Sequence, residues 1–175
     1  MQSLIENILY DFSYWSLSAL SFGYFMVLYF GVGALFLFAC KRLERVKLLH
    51  KIELKPVEKK QTTFEIAHSI KSILIFGFSV IPVIYLVRTD FIVLLPNTWL
   101  NIMLGIVLLT LWNEVHFFVV HRLMHFKFFM RHIHSIHHKS RIPTIYSVYS
   151  FHWFEAFLLS TVPLTILPFI PFSIV

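Results

Sequence analysis

From Trp15 to Cys40 the chain carries no charged residue, and an α-helix needs about 20 apolar residues to cross a bilayer. The pattern predicts a first membrane span near 15–40. Two more apolar runs follow, Ile70 to Val87 and Phe91 to Trp112, parted only by Arg88, Thr89 and Asp90. They read as a membrane hairpin with arms near 70–87 and 91–112, and Pro82 and Pro96 are expected to kink the arms near their outer ends. A last uncharged run, 156–175, holds Pro163, Pro168 and Pro171 and is expected to begin a further membrane segment. Strand-type alternation is weak throughout. The expected fold is all-α, a multi-pass membrane helical bundle.

Composition agrees with this reading. Hydrophobic residues make up 58% of the 175 and charged ones 14%, whereas a soluble domain is about a quarter charged. The formal net charge of +6 falls in two blocks set against apolar runs, which is membrane topology rather than a nucleic-acid footprint. Lys41 to Lys60 holds eight Lys and Arg against three Glu, so the loop 41–63 belongs on the cytosolic face and the amino terminus outside. If both hairpin arms cross, Asn113 onward returns to the cytosol. Arg122, Lys127, Arg131, Lys139 and Arg141, opposed nearby by Glu114, argue independently for the same side. The single cysteine, Cys40, excludes an intrachain disulfide and a cysteine-based metal or redox site. It stands where lipidation could occur, but a buried thiol is the expected reading. No basic residue precedes the first span, so that span is expected to stay as an anchor rather than be cleaved as a signal peptide.

Residues 121–138, HRLMHFKFFMRHIHSIHH, contain six histidines. On a helix, side chains three or four apart share a face. His121 and His125 are four apart, and His134 precedes His137 and His138 by three and four, so each group can present imidazoles to one point. A nearly pure imidazole set suits iron, zinc, copper or nickel, and spacing does not choose among them. The rival readings are a cationic surface on anionic lipid, for which Lys and Arg are better suited at neutral pH, and a bis-histidine haem. The haem reading is weakened by the Arg and Lys around the cluster and by the adjacent histidine pair. His50 and His68 are lone histidines with structural roles expected. His116 lies about 140° round an ideal helix from His121, and His132 interrupts the pattern; either could support the site or line a substrate pocket.

Asn113 to Glu155 resembles the fatty acid hydroxylase and sterol desaturase superfamily of integral-membrane oxygenases. The resemblance rests on His121-Arg122-x-x-His125, His134-x-x-His137-His138, Ser140, Pro143-Thr144, and an aromatic-Ser-x-His-x-x-Glu segment ending in His152 and Glu155. It implies two non-haem iron ions, with zinc a substitute, in a cytosolic histidine-rich site that uses O2 to hydroxylate or desaturate a sterol or fatty acyl lipid. It makes His121, His125, His134, His137 and His138 the catalytic metal ligands, with His152 and His116 as further candidates. Electrons would come from an external carrier of cytochrome b5 or ferredoxin type, since the chain has no Gly-rich dinucleotide loop and no cysteine set for an iron–sulfur cluster. The membrane would be a bacterial inner membrane or the endoplasmic reticulum. The sequence leaves substrate, electron donor and oligomeric state open.

Two departures shape the expectation. Trp153 stands where the family usually has Pro, and the chain stops before the family's third histidine box. The reading therefore divides the chain into a transmembrane region (1–112), a histidine-box region (113–155) and the start of a further membrane segment (156–175). It expects this chain alone to be inactive, and its alternative is a catalytically inactive metal-binding membrane protein.

Overall fold

A computed structural model describes residues 2–50 and 55–173, with side chains from Asn7 onward; Lys51, within the basic loop, lies outside the described residues. Three helices are long and apolar enough to cross a membrane: Tyr14–Arg45, Lys59–Arg88 and Trp99–Met124. At 32, 30 and 26 residues, each exceeds the roughly 20 that a bilayer requires. The protein is an all-α, multi-pass membrane bundle.

A short helix α1 (Gln2–Asp11) leads into the first span. That span comprises α2 (Tyr14–Met26), a π-helical stretch (Val27–Val32) and α3 (Gly33–Arg45). Ser13 caps α2, its hydroxyl accepting from the Ser16 N–H at 3.1 Å. The π stretch widens the helix locally and changes which side chains face inward. Tyr29 sits there, buried, and donates its phenol proton to the Tyr146 carbonyl at 2.8 Å. At the far end, Lys47 adopts a left-handed φ of 59°. The Leu48 N–H then reaches the Leu43 carbonyl and the Lys47 N–H the Glu44 carbonyl, which is the Schellman way of satisfying the last carbonyls.

The hairpin is α4 (Lys59–Arg88) followed by α5 (Trp99–Met124). Asp90, with φ 56°, ends α4 as Lys47 ends α3, with the Phe91 N–H on the Leu86 carbonyl and the Asp90 N–H on the Val87 carbonyl. The second arm starts at Trp99, later than the apolar run suggests. Pro96 has no N–H to offer a helix, its carbonyl takes the Asn101 side chain at 2.9 Å, and Thr98 caps α5 by accepting from the Asn101 N–H. Pro96 therefore lies in the connection, whereas Pro82 lies inside α4.

Helix α2 packs against α4 through Gly77. A Cβ there would stand 3.1 Å from Phe22 Cβ and 3.3 Å from the Ser18 carbonyl, so the missing side chain is what lets the backbones approach. Gly23 has open space around its Cβ direction and makes no such contact. Leu9, Leu17, Ile84, Val87 and Ile92 form one buried cluster at the end of the bundle away from the histidines. There Arg88 donates to the Leu9 carbonyl at 2.8 and 2.6 Å and to the Phe12 carbonyl at 2.5 Å, tying α1 to the end of α4.

After the histidines, α6 (Lys127–His132) and α7 (Trp153–Ser160) are short. The uncharged run that follows does not form a long helix. Its prolines break it into a 3-10 turn (Pro163–Thr165) and an extended end, and it runs back along α5. Trp112 donates to Thr165 at 3.1 Å, Phe172 lies against Gly105, and Leu94–Leu95 pair in parallel with Phe172–Ser173. These are the only strands among the described residues.

Candidate metal centre

Two segments bring the imidazoles together. His121 and His125 occupy the last turn and C-cap of α5, one turn apart, with ring centroids 4.7 Å apart and Nε2 atoms 3.1 Å apart. Helix α6 reverses the chain, and buried Met124 and Ile133 hold the two sides of the turn in place. The second group lies in a 3-10 helix, His134–Lys139, rather than the α-helix that the spacing suggests. With three residues per turn, i and i+3 eclipse, and the His134 and His137 rings stack at 5.5 Å.

His134 is the hub of the cluster. Its ring lies 4.8 Å from His121, 4.9 Å from His125, 5.5 Å from His137 and 4.7 Å from His138. His121, His125 and His134 can each offer a ligand nitrogen, and these atoms lie within 4.8 Å of one another. His138 also meets His125 at 5.5 Å. All five histidines of the two predicted boxes are thus in one neighbourhood.

His134 is fully buried, and its Nδ1 lies 2.8 Å from Oε1 of Glu155, itself only 1% exposed. Burial, then the positive charge its four histidine neighbours could carry, pushes its pKa down to about 3, while burial raises that of Glu155 to about 7. The contact is accordingly a hydrogen bond from a neutral imidazole rather than an ion pair. With the Glu155 carboxylate as acceptor, the His134 proton sits on Nδ1 and the Nε2 lone pair is left free. That Nε2 is buried without a hydrogen-bond partner, a costly state for a polar atom and one that a metal ion on the cluster would relieve. The donor set and this orphaned nitrogen fit a transition metal.

The remaining candidates are placed differently. His116 is buried in α5, with Nε2 3.1 Å from the Thr161 hydroxyl, so it fastens the C-terminal segment to α5. His152 caps α7, its Nδ1 accepting from the Phe154 N–H at 3.2 Å, and its ring packs on Trp153; burial lowers its pKa, helped by nearby His68. His132 is exposed and bonded to the Phe128 carbonyl. None of these three is in the three-histidine group.

Sequence reasoning assigned no role to Glu155 or to the polar network behind the cluster. Glu65, fully buried in α4, accepts from Gln61 at 2.8 Å and from Thr144 at 2.5 Å. Gln61 also donates to the Ile142 carbonyl, and Ser69 to the Tyr146 carbonyl. Together with Tyr29, these residues fasten segment 142–146, which follows the second box, to the membrane helices.

Residues 106–175 match the family model described as fatty acid hydroxylase. The chain is similar to lathosterol oxidase of Rattus norvegicus, 31% identical over 75 residues, which is 43% of this chain and 25% of that protein. It is also similar to lathosterol oxidase of Mus musculus, 32% identical over 75 residues and the same shares. The match spans about a quarter of the length of these relatives. No solved structure matches the chain significantly.

Proposed function

We propose that this chain belongs to the fatty acid hydroxylase and sterol desaturase superfamily, which its similarities support, and forms the metal centre of a membrane-bound non-haem iron oxidoreductase acting on a lipid. The observation that carries this reading is the buried His134, its Nδ1 held by Glu155 and its unpartnered Nε2 among the other imidazoles. His121, His125 and His134 would hold a first iron, with His137 and His138 extending the site toward a second. Iron bound there would supply the redox chemistry that turns O2 against an unactivated C–H bond. The protein's part is to keep His134 in one tautomer, to exclude water from its buried side, and to set the cluster beside the bilayer that delivers the substrate. The outcome on the lipid is hydroxylation or desaturation, and the name of the relatives supports a sterol, with a fatty acyl chain the other choice.

The basic residues flanking the first span and the histidines favour the cytosolic face for the site. Electrons would arrive from an external carrier of cytochrome b5 or ferredoxin type. The test is iron content, by mass spectrometry, of full chain purified from iron-supplemented cells. Iron that is lost in H121A/H125A and in H134A supports the ligand assignment; full retention in either variant overturns it.

A second reading has its own support, because an imidazole-only group also suits zinc. In it the chain binds metal without turnover. Oxygen uptake with reductant and lipid separates the two, since the zinc form consumes none.

A further inference from the structure

A cavity of about 550 Å³ lies between α2, α4, α5 and the segment running from Val148 to Pro163. Its volume is within the range of small-molecule sites, roughly 300–1,000 Å³. No charged residue lines it. The polar groups at its wall include Ser79 and Ser160, whose hydroxyls already donate to the Phe76 and Phe157 carbonyls; toward the cavity they can only accept. Such a space takes the uncharged skeleton or chain of a lipid and rejects a phosphate. Because its walls are membrane helices near mid-span, the occupant enters from the bilayer.

Two of its lining residues touch the histidine cluster. Phe117 stacks on His121, with centroids 5.4 Å apart and planes at 19°, and Phe151 stacks on His137 at 5.1 Å and 30°. One phenyl ring therefore stands between the cavity and each histidine box. A reacting atom must come within about 3–3.5 Å of its partner, and an aromatic ring is itself about 3.5 Å thick in contact. A lipid carbon cannot pass through either ring, so it reaches the metal-binding nitrogens only past a ring edge.

We infer that Phe117 and Phe151 are the specificity-determining pair of this site: they decide which carbon of a lipid held in the cavity comes up to the histidine cluster. The inference rests on the proposed reading of the cluster as an oxidising centre. It assigns the cavity to the apolar part of that substrate.

The test uses full-length chain in nanodiscs and two photoactivatable probes, a fatty acid with a mid-chain diazirine and a sterol with a ring diazirine, with adducts mapped by peptide mass spectrometry. In the wild type, adducts are expected on cavity residues such as Phe76, Val80 and Leu159, with His121 and His137 spared. V80W, which fills the cavity, should abolish the cavity adducts and leave metal content unchanged. F117A and F151A should each shift adducts onto the adjacent histidine. F117L and F151L, which remove the flat ring with less loss of volume, should do the same if the alanine variants fold poorly. Adducts confined to bilayer-facing residues such as Phe36 and Leu104, or indifferent to V80W, would overturn the cavity assignment. Cavity adducts that do not shift in any Phe117 or Phe151 variant would overturn the role of the pair. Metal content, measured on the same samples, reports separately on the proposed function, because crosslinking reads proximity whether or not metal is bound.

Discussion

His134 Nδ1 and Glu155 Oε1 meet at 2.8 Å in a place that solvent does not reach. The two residues are 21 positions apart, so the contact depends on the chain folding α7 back beneath the second histidine box. Its effect is local and specific: as acceptor from Nδ1, the carboxylate would leave Nε2 as the free nitrogen of His134.

Removing that carboxylate should therefore weaken metal binding without removing any ligand. Outer-sphere partners of this kind typically matter by about 10–100-fold in metal affinity. E155A is expected to lose that much, and E155Q, which can still accept from Nδ1 through its amide oxygen, less. Competition against a chelator of known affinity measures it. Equal affinity in E155A and the wild type would remove Glu155 from the site.

Gly77 and Gly23 offer an internal comparison of packing. A methyl at position 77 meets Phe22 and the Ser18 carbonyl at 3.1–3.3 Å, while one at position 23 meets nothing within 4 Å. Overpacking of this sort costs about 1–3 kcal/mol, and a surface change usually stays within about 0.5 kcal/mol. G77A should lower the melting temperature in detergent, and G23A should not.

Much of the membrane architecture was legible because it follows from runs of apolar residues, whose length the bilayer dictates. What runs cannot show is where a helix stops. The second hairpin arm starts at Trp99 because of the Pro96, Thr98 and Asn101 contacts, and the uncharged 156–175 run is broken by prolines into a segment that returns along α5. At the site, the grouping of the five histidines was readable from their spacing, since i and i+3 share a face in either helix type and i+4 does so in the α-helix. Glu155 was visible as the end of a motif but not as the partner of His134, and Phe117 and Phe151 were not visible at all, because a partner acquired through tertiary folding leaves no local period. Gly77 likewise looks like any other membrane glycine until Phe22 is seen against it.

Arg88 should anchor the amino-terminal helix. Its guanidinium holds the Leu9 and Phe12 carbonyls and lies 4.8 Å from the Tyr14 ring centroid. R88M is expected to free α1 by about 1–2 kcal/mol, or roughly tenfold faster amide exchange there. Metal content should not change, since α1 packs at the other end of the bundle. Unaltered exchange in α1 would show that the apolar contacts of Leu9 suffice.

Topology can be read with cysteines introduced at Thr89 and Lys139, in a background lacking Cys40. Thr89 follows the end of α4 and Lys139 ends the second histidine box. The positive-inside pattern predicts that an impermeant thiol reagent added to sealed cells labels position 89 and spares 139. The opposite labelling would put the histidines outside.

The last prediction concerns how much metal the chain holds. Two catalytic metals that keep positions open for O2 need about six or more protein ligands, three or more for each. The described residues gather four imidazoles around that of His134, five in all. His152 spends its Nδ1 lone pair on capping α7, and His116, bonded to Thr161 through Nε2, lies outside the compact histidine group, so neither is counted with the five. Only His121, His125 and His134 form a compact three-nitrogen group, which makes one strong position and leaves His137 and His138 to begin a weaker one. Purified chain should accordingly carry about one tightly bound metal, with zinc competing well against iron because imidazole favours both and zinc stands higher in intrinsic affinity than ferrous iron. Without a second filled position, oxidation of lipid by this chain alone should be absent. Metal analysis together with product analysis after reduction and exposure to O2 decides the matter. Two retained irons with turnover would mean that ligands beyond these five complete the site, for instance from a second copy of the chain.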